Sequence, residues 1–359
     1  MAKELTDRSS KPVATWLLVG VGMIIIQILL GGITRLTGSG LSITEWNVVT
    51  GTFPPMSEQQ WITEFDKYKQ TPQFSYLNSN FGLQDFKFIF FWEWFHRFWA
   101  RLIGIVFAIP FIIFLVQRRF KPEMVRPMLI LFLLGALQGA IGWIMVASGL
   151  TGDAIYVKPT KLALHFIFAL GLLCYTFWFA LQLLVPKEKL VFNTGVRKLT
   201  GGIIAVMGIQ LIYGALMAGH KAATAAATWP DINGYAVPPG MIDNDEGLLN
   251  LIDNRITLHF IHRGLAYLLV VLIILLTIRL YKISGSALWR KARMWPLLFV
   301  VMQVILGVLS VLTSLQIVPN KWGVFEWMAQ LHQLVAMLLL LSLVFIFFLA
   351  RKSNSLKTS

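Results

Sequence analysis

The sequence contains few charged residues and only one cysteine. Charged residues make up 13% of the 359 residues, whereas a typical soluble domain has about 25%. Hydrophobic residues make up 57%, and the mean hydropathy is +0.69. Because Cys174 stands alone, no intramolecular disulfide can form. The composition therefore excludes an ordinary soluble domain and a disulfide scaffold, and it indicates a membrane protein.

Eight hydrophobic segments are long enough to cross a bilayer, which requires about 20 apolar residues per helix. The segments are 13–33, 88–116, 127–148, 162–185, 198–219, 257–281, 295–315 and 328–350. We therefore predict an all-α integral membrane protein with eight transmembrane helices. The loop after the first segment carries Trp61, Phe65 and Tyr68 at helical spacing, which predicts a short amphipathic helix at the membrane interface.

Acidic residues are scarcer than basic ones, which gives a formal net charge of +14. The basic residues concentrate in short loops, as at Arg118 and Arg119, while the long loops carry acids such as Glu45 and Asp231. Lysine and arginine are enriched in cytoplasmic loops of membrane proteins, so both termini are predicted to be cytoplasmic. The charge is thus a topology signal and not a sign of nucleic-acid binding. With no cleavable targeting pattern at the start, a bacterial plasma membrane is the expected location.

Two histidine pairs recur in the two halves of the chain. His96 and His262 each precede an arginine, and His165 and His332 each begin the hydrophobic segment two further along. Histidine is costly inside a bilayer unless it binds something. A lone histidine is more often hydrogen-bonded to an interfacial loop, but this repetition favours a metal macrocycle held between helices. The helices that carry the pairs run inwards, so all four histidines are predicted near the outer, periplasmic surface.

The repeat extends to a glutamine followed four residues later by a glycine. These pairs are Gln27 and Gly31, Gln138 and Gly142, Gln210 and Gly214, and Gln303 and Gly307. Such glycines let helix backbones, or a flat ring, approach a helix closely. We therefore predict two tandem, pseudo-symmetric four-helix bundles, residues 1–190 and 191–359, each burying a separate core.

The chain resembles the haem A synthase family over nearly its whole length. The resemblance is carried by Gly-Gly-Ile-Thr-Arg-Leu-Thr-Gly-Ser-Gly-Leu-Ser at 31–42, Glu93-x-x-His96-Arg97, Gln138-Gly-x-x-Gly-Trp143, Met145-Val-x-Ser-Gly-Leu150, Thr228-Trp-Pro230, His165, His262 and His332. Members of this family oxidise the C8 methyl group of haem O to the formyl group of haem A, which cytochrome oxidase assembly requires. One branch has a cysteine pair in the first outer loop. This chain lacks it and is similar to the branch of proteobacteria and mitochondria.

The resemblance implies different roles for the two histidine pairs. It implies that His262 and His332 are the axial iron ligands of haem b in the C-terminal bundle, where the cofactor transfers electrons. It implies that His96 and His165 bind the iron of the substrate haem in the N-terminal bundle. The further partners implied are the farnesyltransferase that makes haem O, an unidentified electron acceptor and the lipid bilayer. A homo-oligomer is possible.

Glu93 and two arginines are the remaining candidate site residues. Glu93 lies three residues before His96, where the other half has His259, so it is the candidate catalytic carboxylate. A salt bridge from Glu93 to Arg97, or a favourable position at a helix N-terminus, is the structural alternative. Arg97 and Arg263 are candidates for binding haem propionates, because guanidinium binds carboxylate in a fork. Snorkelling of these arginines to the interface is equally compatible with the sequence.

Two other functions remain open from the residues alone. A b-type di-haem membrane cytochrome that only transfers electrons would hold a permanent haem in both bundles. The presence of Glu93 in one half only argues against that symmetry. A transporter built on parallel repeats would place its site near the midplane of the bilayer. The ionisable residues cluster towards the outer side instead, so the transporter is the weakest alternative.

Overall fold

The computed structural model describes residues 2–46, 50–120, 122–241, 247–318 and 321–351, and these residues are mostly helical. In chain order the α-helices are α1 (Ala2–Leu36), α2 (Glu58–Lys69), α3 (Pro72–Leu77), α4 (Leu83–Val116), α5 (Pro122–Ala147), α6 (Pro159–Leu184), α7 (Thr194–Gly219), α8 (Asn250–Asp253), α9 (Arg255–Tyr281), α10 (Ala287–Ala292), α11 (Trp295–Leu312) and α12 (Val324–Leu349). Eight spans within the described residues are long and apolar enough to cross a membrane. They lie in α1, α4, α5, α6, α7, α9, α10 with α11, and α12. The all-α class and the eight predicted spans are confirmed.

Most predicted segments differ from the helices by a turn or less at each end. The largest difference is at α1, which begins at Ala2, eleven residues before the predicted segment. Helix α4 begins at Leu83, five residues before its segment, where the Asp85 carboxylate accepts a hydrogen bond of 2.9 Å from the backbone N–H of Gly82. This acid at the helix N-terminus extends α4 beyond the apolar stretch. Segment seven ends earlier than predicted, at Leu312, and residues Ser314–Gln316 form a 3-10 turn.

The amphipathic helix predicted in the first long loop is α2, but its apolar side faces protein. Phe65 and Tyr68 are buried and pack against Phe86 at the outer end of α4, with ring centroids 5.0 and 5.4 Å away. Trp61 lies edge-on to Phe90 at 5.1 Å. The expectation of a membrane-interface helix is thus corrected. The α4 extension offers these aromatic side chains a protein surface, and together they build a small outer core.

Four helices form the centre of the molecule. Within the described residues, α1 contacts α6, α6 contacts α7, α7 contacts α12, and α12 returns to α1. Helices α4 and α5 pack on the outside of α1 and α6, while α9 and α11 pack on α7 and α12. The central helices α1 and α12 are the most buried spans, and the apolar stretch of α4 is left open. Helices of both halves therefore share one central layer.

The prediction of two separate cores is wrong. The largest buried cluster joins Ile28 of α1 and Leu173 of α6 to Ile203 of α7, Ile273 of α9 and Met337 of α12. These side chains come from both halves because the apolar faces of α1 and α6 have no other protein surface on which to pack. A short parallel pairing of strand β1 (Val191–Phe192) with β2 (Ala350–Arg351) adds a backbone link between the connecting segment and the end of α12.

Candidate functional site

Each of the four histidines lies against a glutamine and a glycine of the preceding membrane-spanning helix. His96 faces Gln27 and Gly31, His165 faces Gln138 and Gly142, His262 faces Gln210 and Gly214, and His332 faces Gln303 and Gly307. In each group the glutamine amide nitrogen lies 3.1–3.3 Å from a nitrogen of the imidazole. A Cβ built on each glycine would lie 2.8–3.2 Å from the histidine Cε1. The glycines therefore admit an imidazole ring, and the four groups share one geometry.

Replacing Gly142 with alanine is expected to displace the imidazole ring of His165, which packs against this glycine. The added Cβ would lie 2.8 Å from Cε1 of His165, closer than ordinary van der Waals contact. Gly171, on the helix that carries His165, has no heavy atom within 4 Å of such a Cβ and does not line the cavity, so Gly171→Ala is the matched control. Alanine is the better helix former by up to about 1 kcal/mol, while overpacking costs about 1–3 kcal/mol. We expect Gly142→Ala, but not Gly171→Ala, to lower both the unfolding temperature in detergent and the haem A content of membranes. Equal values for the two variants would contradict the close packing of His165 against Gly142.

The C-terminal histidines face each other at a distance suited to axial ligation. The ring centroids of His262 and His332 are 6.4 Å apart, with an interplanar angle of 62°. A metal–imidazole bond of about 2 Å on each side of one metal puts the two ring centroids roughly 6–6.5 Å apart. Nδ1 of His262 is buried without a hydrogen-bond partner among the described residues, as are the side-chain oxygens of all four glutamines. The donor set fits a haem iron, which takes axial ligands from opposite faces of its ring.

The N-terminal pair belongs to the same cavity. His96 and His165 line the same cavity as His262 and His332, which has a volume of about 970 Å³ and mostly apolar walls. In the part of the chain that is described, no group of three or more histidine, cysteine, aspartate or glutamate side chains could hold a bare metal ion. Paired imidazoles in an apolar cavity are instead a ligand set for a metal that is already enclosed in a macrocycle.

Glu93 lies at the edge of this cavity with its carboxylate fully engaged. The side chain is buried, and Oε2 accepts hydrogen bonds from the backbone N–H of Ser42, the hydroxyl of Ser42 and the backbone N–H of Ile43 at 2.7–2.9 Å. Oε1 accepts from Nη2 of Arg97 at 2.6 Å. The salt bridge considered as an alternative is therefore present. Glu93 fastens the loop after α1 to α4, and it also lines the cavity beside His96.

Arg97 and Arg263 hold the outer loops. Arg97 donates to the carbonyl oxygens of Ile43 and Glu45 at 3.1–3.2 Å and lies over the ring of Trp46. Arg263 donates to the carbonyl oxygens of Ala226, Thr228 and Asp231 at 2.8–2.9 Å. These carbonyls use most of the guanidinium donors, so a propionate contact at Arg97 or Arg263 stays a prediction.

The structure assigns contacts to residues whose part the sequence did not reveal. Fully buried His259, at the position of Glu93 in the other half, lies 2.7 Å from the carbonyl oxygen of Ala222 and 3.3 Å from Nη2 of Arg263. It therefore fastens an outer loop as Glu93 does. The four glutamines were visible as a repeat, but their contact with the histidines required the helix pairing. His220 lies 2.9 Å from the carbonyl oxygen of Ile252, away from the cavity lining.

Comparisons with known proteins agree with this geometry. A family model described as cytochrome oxidase assembly protein matches residues 14–344. The chain is similar to a protein named heme A synthase from Flavobacterium psychrophilum, with 38% identity over 337 residues, or 93% of this chain and 96% of the relative. Proteins of the same name from Parvibaculum lavamentivorans and Paracoccus denitrificans are each 41% identical, over 76% and 83% of this chain and 79% of each relative.

Proposed function

The chain belongs to the cytochrome oxidase assembly protein family, and on that basis we propose that it synthesises haem A, the reaction after which its curated relatives are named. It is a multi-pass membrane enzyme of haem biosynthesis that carries out an oxidative conversion. Its substrate is haem O, whose C8 methyl group becomes the formyl group of haem A. The observation that carries this proposal is the match over residues 14–344 in a chain that brings two histidine pairs to one cavity.

The two pairs have different tasks. His262 and His332 hold a resident haem b, which supplies one-electron redox chemistry when bound. His96 and His165 hold the iron of the substrate haem. Close packing against Gly31 and the other three glycines fixes the imidazole rings of the four histidines. The apolar cavity wall keeps water away from the porphyrin. Oxidation of the methyl group releases electrons, so a separate electron acceptor is a required partner.

Glu93 is the carboxylate beside the reacting haem. It is present only in the half assigned to the substrate, since the other half has His259 at this position. A buried, negatively charged group next to a carbon that loses electrons stabilises developing positive charge and accepts a proton. The hydrogen bonds that it accepts from Ser42, Ile43 and Arg97 fix it in position.

The enzyme is proposed to lie in a bacterial plasma membrane with the cavity towards the periplasmic side. Support comes from the basic loops at the opposite end of the helices and from the long loops that cover the histidine end. The farnesyltransferase that produces haem O is the natural partner for delivery. The two-bundle division at residues 190 and 191 and the cytoplasmic termini remain predictions.

Haem extraction from the purified protein tests the function against the di-haem cytochrome. Co-expression with the farnesyltransferase should yield haem b together with haem O or haem A on reversed-phase chromatography. Two equivalents of haem b, with no haem A in the membranes of a haem A-deficient host, would favour the electron-transfer cytochrome. All four histidines contact a glutamine and a glycine in the same way, so the di-haem cytochrome is the alternative that this experiment must test.

Exchanging Glu93 for glutamine is expected to stop the oxidation while leaving haem b in place. The glutamine keeps the size of the side chain but removes its charge, so haem O or a partly oxidised intermediate should accumulate. Ser42→Ala is the matched control, because it removes one hydrogen bond to the carboxylate and preserves the charge. Haem A, haem O and haem b are quantified by chromatography, and unfolding temperatures are compared. Normal haem A production by Glu93→Gln would leave Glu93 with its structural role alone.

A further inference from the structure

Two cations line the cavity without an ion-pair partner among the described residues. Arg35 lies in the last turn of α1, and Lys221 follows the end of α7. Among the residues that the structure describes, neither side chain donates a hydrogen bond or lies within ion-pair distance of a carboxylate. Arg97 and Arg263, by contrast, are committed to loop carbonyls. Arg35 and Lys221 are therefore two cations of the cavity lining, which also includes Arg101, that remain available to an anionic ligand.

Arg35 lies above the imidazole ring of His96. It follows Gly31, the glycine that admits the His96 ring, by four residues on the same helix. Residues four apart share a helix face and are separated by about 6 Å along the axis. Arg35 is thus one turn closer to the outer surface than the ring of His96, on the side of α1 that faces the cavity.

Lys221 reaches across from the C-terminal half. Lys221 follows the end of α7 and has a left-handed backbone conformation with φ of 49°. Its Nζ lies 3.6 Å from the ring centroid of Tyr156, in the loop between α5 and α6. Burial, with a smaller contribution from the charge of Arg35, lowers the pKa of Lys221 to about 8. The two cations are therefore close enough to repel each other.

An unpaired pair of cations in an apolar cavity is unfavourable. Like charges repel more strongly in such surroundings than in water, and a charge removed from water needs a partner. Glu326 is the described carboxylate that attracts Arg35, but its Oε2 accepts from the backbone N–H of Gly323 at 2.8 Å, and it forms no ion pair with Arg35. An anionic ligand that contacts both cations would remove this cost.

The repeat assigns Arg35 to the substrate side, and Lys221, which follows α7 of the other half, reaches that side through its contact with Tyr156. When Gly31 is matched with Gly214, the position of Arg35 corresponds to Ala218 and that of Lys221 to Gly38. The half that holds the resident haem therefore has no copy of Arg35. Like Glu93, Arg35 distinguishes the pocket of His96 and His165 from its pseudo-symmetric copy.

We propose that Arg35 and Lys221 together bind the propionate carboxylates of the substrate haem and so set the orientation of its ring above His96. This assignment rests on the proposed function, because it takes the His96 pocket as the substrate pocket. A porphyrin carries its two carboxylates on one edge. If that edge points outward to the two cations, the opposite part of the ring points inward.

The test compares haem with haem whose propionates are esterified. Protein purified with its resident haem is titrated with iron protoporphyrin IX and with its dimethyl ester, and binding is followed by the Soret difference spectrum. The wild type should bind the free acid more tightly by roughly 10-fold to 100-fold, the range for hydrogen bonds between charged groups. Arg35→Gln with Lys221→Gln should abolish that preference and leave binding of the ester unchanged. Arg35→Lys with Lys221→Arg should retain most of it.

Lys158→Gln is the matched control, because it removes an exposed outer cation that does not line the cavity. It should preserve the preference for the free acid. An unchanged preference in the double glutamine variant would overturn the proposal. If His96→Ala abolishes binding in that case, the proposed substrate pocket still stands. Binding that survives His96→Ala would instead contradict the pocket itself.

Two further results would assign the cations to another ligand and overturn the proposal. Loss of the resident haem from the double glutamine variant would assign them to the C-terminal haem. In nanodiscs, a stabilisation by phosphatidylglycerol that the wild type shows and the double variant loses would assign them to a lipid phosphate. Equal resident haem content and equal lipid response in both proteins are the results expected if the cations bind the substrate.

Discussion

Replacing His332 with alanine is expected to remove most of the resident haem from the purified protein. His262 and His332 face each other with ring centroids 6.4 Å apart, and each is proposed to supply one ligand to the iron of the resident haem. Without one imidazole the iron loses a bond and the porphyrin loses an anchor. The reduced spectrum should lose its bis-histidine bands, and the pyridine haemochrome assay should report a small fraction of the wild-type haem. His262→Ala should behave in the same way.

His220→Ala is the control for this experiment. His220 lies 2.9 Å from the carbonyl oxygen of Ile252 and is not part of the cavity lining, so its loss should leave the haem content unchanged. Full haem content and an unaltered reduced spectrum in both His262→Ala and His332→Ala would refute the ligand assignment.

The double variant His96→Ala/His165→Ala is expected to produce no haem A while it keeps the C-terminal haem spectrum. Both imidazoles of the substrate pair are lost, so the substrate iron has no protein ligand near Glu93. The experiment requires co-expression with the farnesyltransferase, followed by extraction and chromatography of the haems. Continued haem A production would contradict the substrate site.

Simultaneous loss of the resident haem would have a different meaning. The largest core is shared by helices of both halves, so a void at His96 and His165 could weaken the packing around Ile203 and Met337. Comparing the unfolding temperature of the double variant with that of His220→Ala separates this effect. A stable double variant without resident haem would show that the two haem sites are coupled.

The helices were predictable because a membrane imposes a simple requirement on each span. A run of about 20 apolar residues is a strong local signal, and every predicted segment is a helix. The packing of the helices was not predictable in the same way. Ile28 and Leu173 read as apolar positions in the sequence, but nothing local indicates that they contact Ile203 and Ile273 of the other half. For α2, the spacing of Phe65 and Tyr68 predicted the helix correctly. The surface on which these side chains pack was not predicted, because no local signal showed that α4 extends outward to contact them.

The candidate site was predictable where the repeat marked it. The four histidines and the four glutamine–glycine pairs were evident from spacing, and the structure adds that each ring occupies the space of a missing Cβ. The partners of charged side chains were less accessible. Arg97 was a candidate for binding a haem carboxylate, which stays a prediction, and the structure adds its hydrogen bonds to the carbonyl oxygens of Ile43 and Glu45. Loop carbonyls carry no sequence signature, so these hydrogen bonds are seen only in three dimensions.

The common layer formed by α1, α6, α7 and α12 makes the whole protein one cooperative folding unit. A bundle with its own core could unfold while its neighbour stayed intact, but here Leu173 and Ile203 belong to a single buried cluster. Separating the halves would expose the apolar faces of all four helices at once. Any substitution that loosens this layer therefore lowers the free energy of unfolding for both halves together. The internal duplication that is so clear in the sequence does not survive as two independent thermodynamic domains.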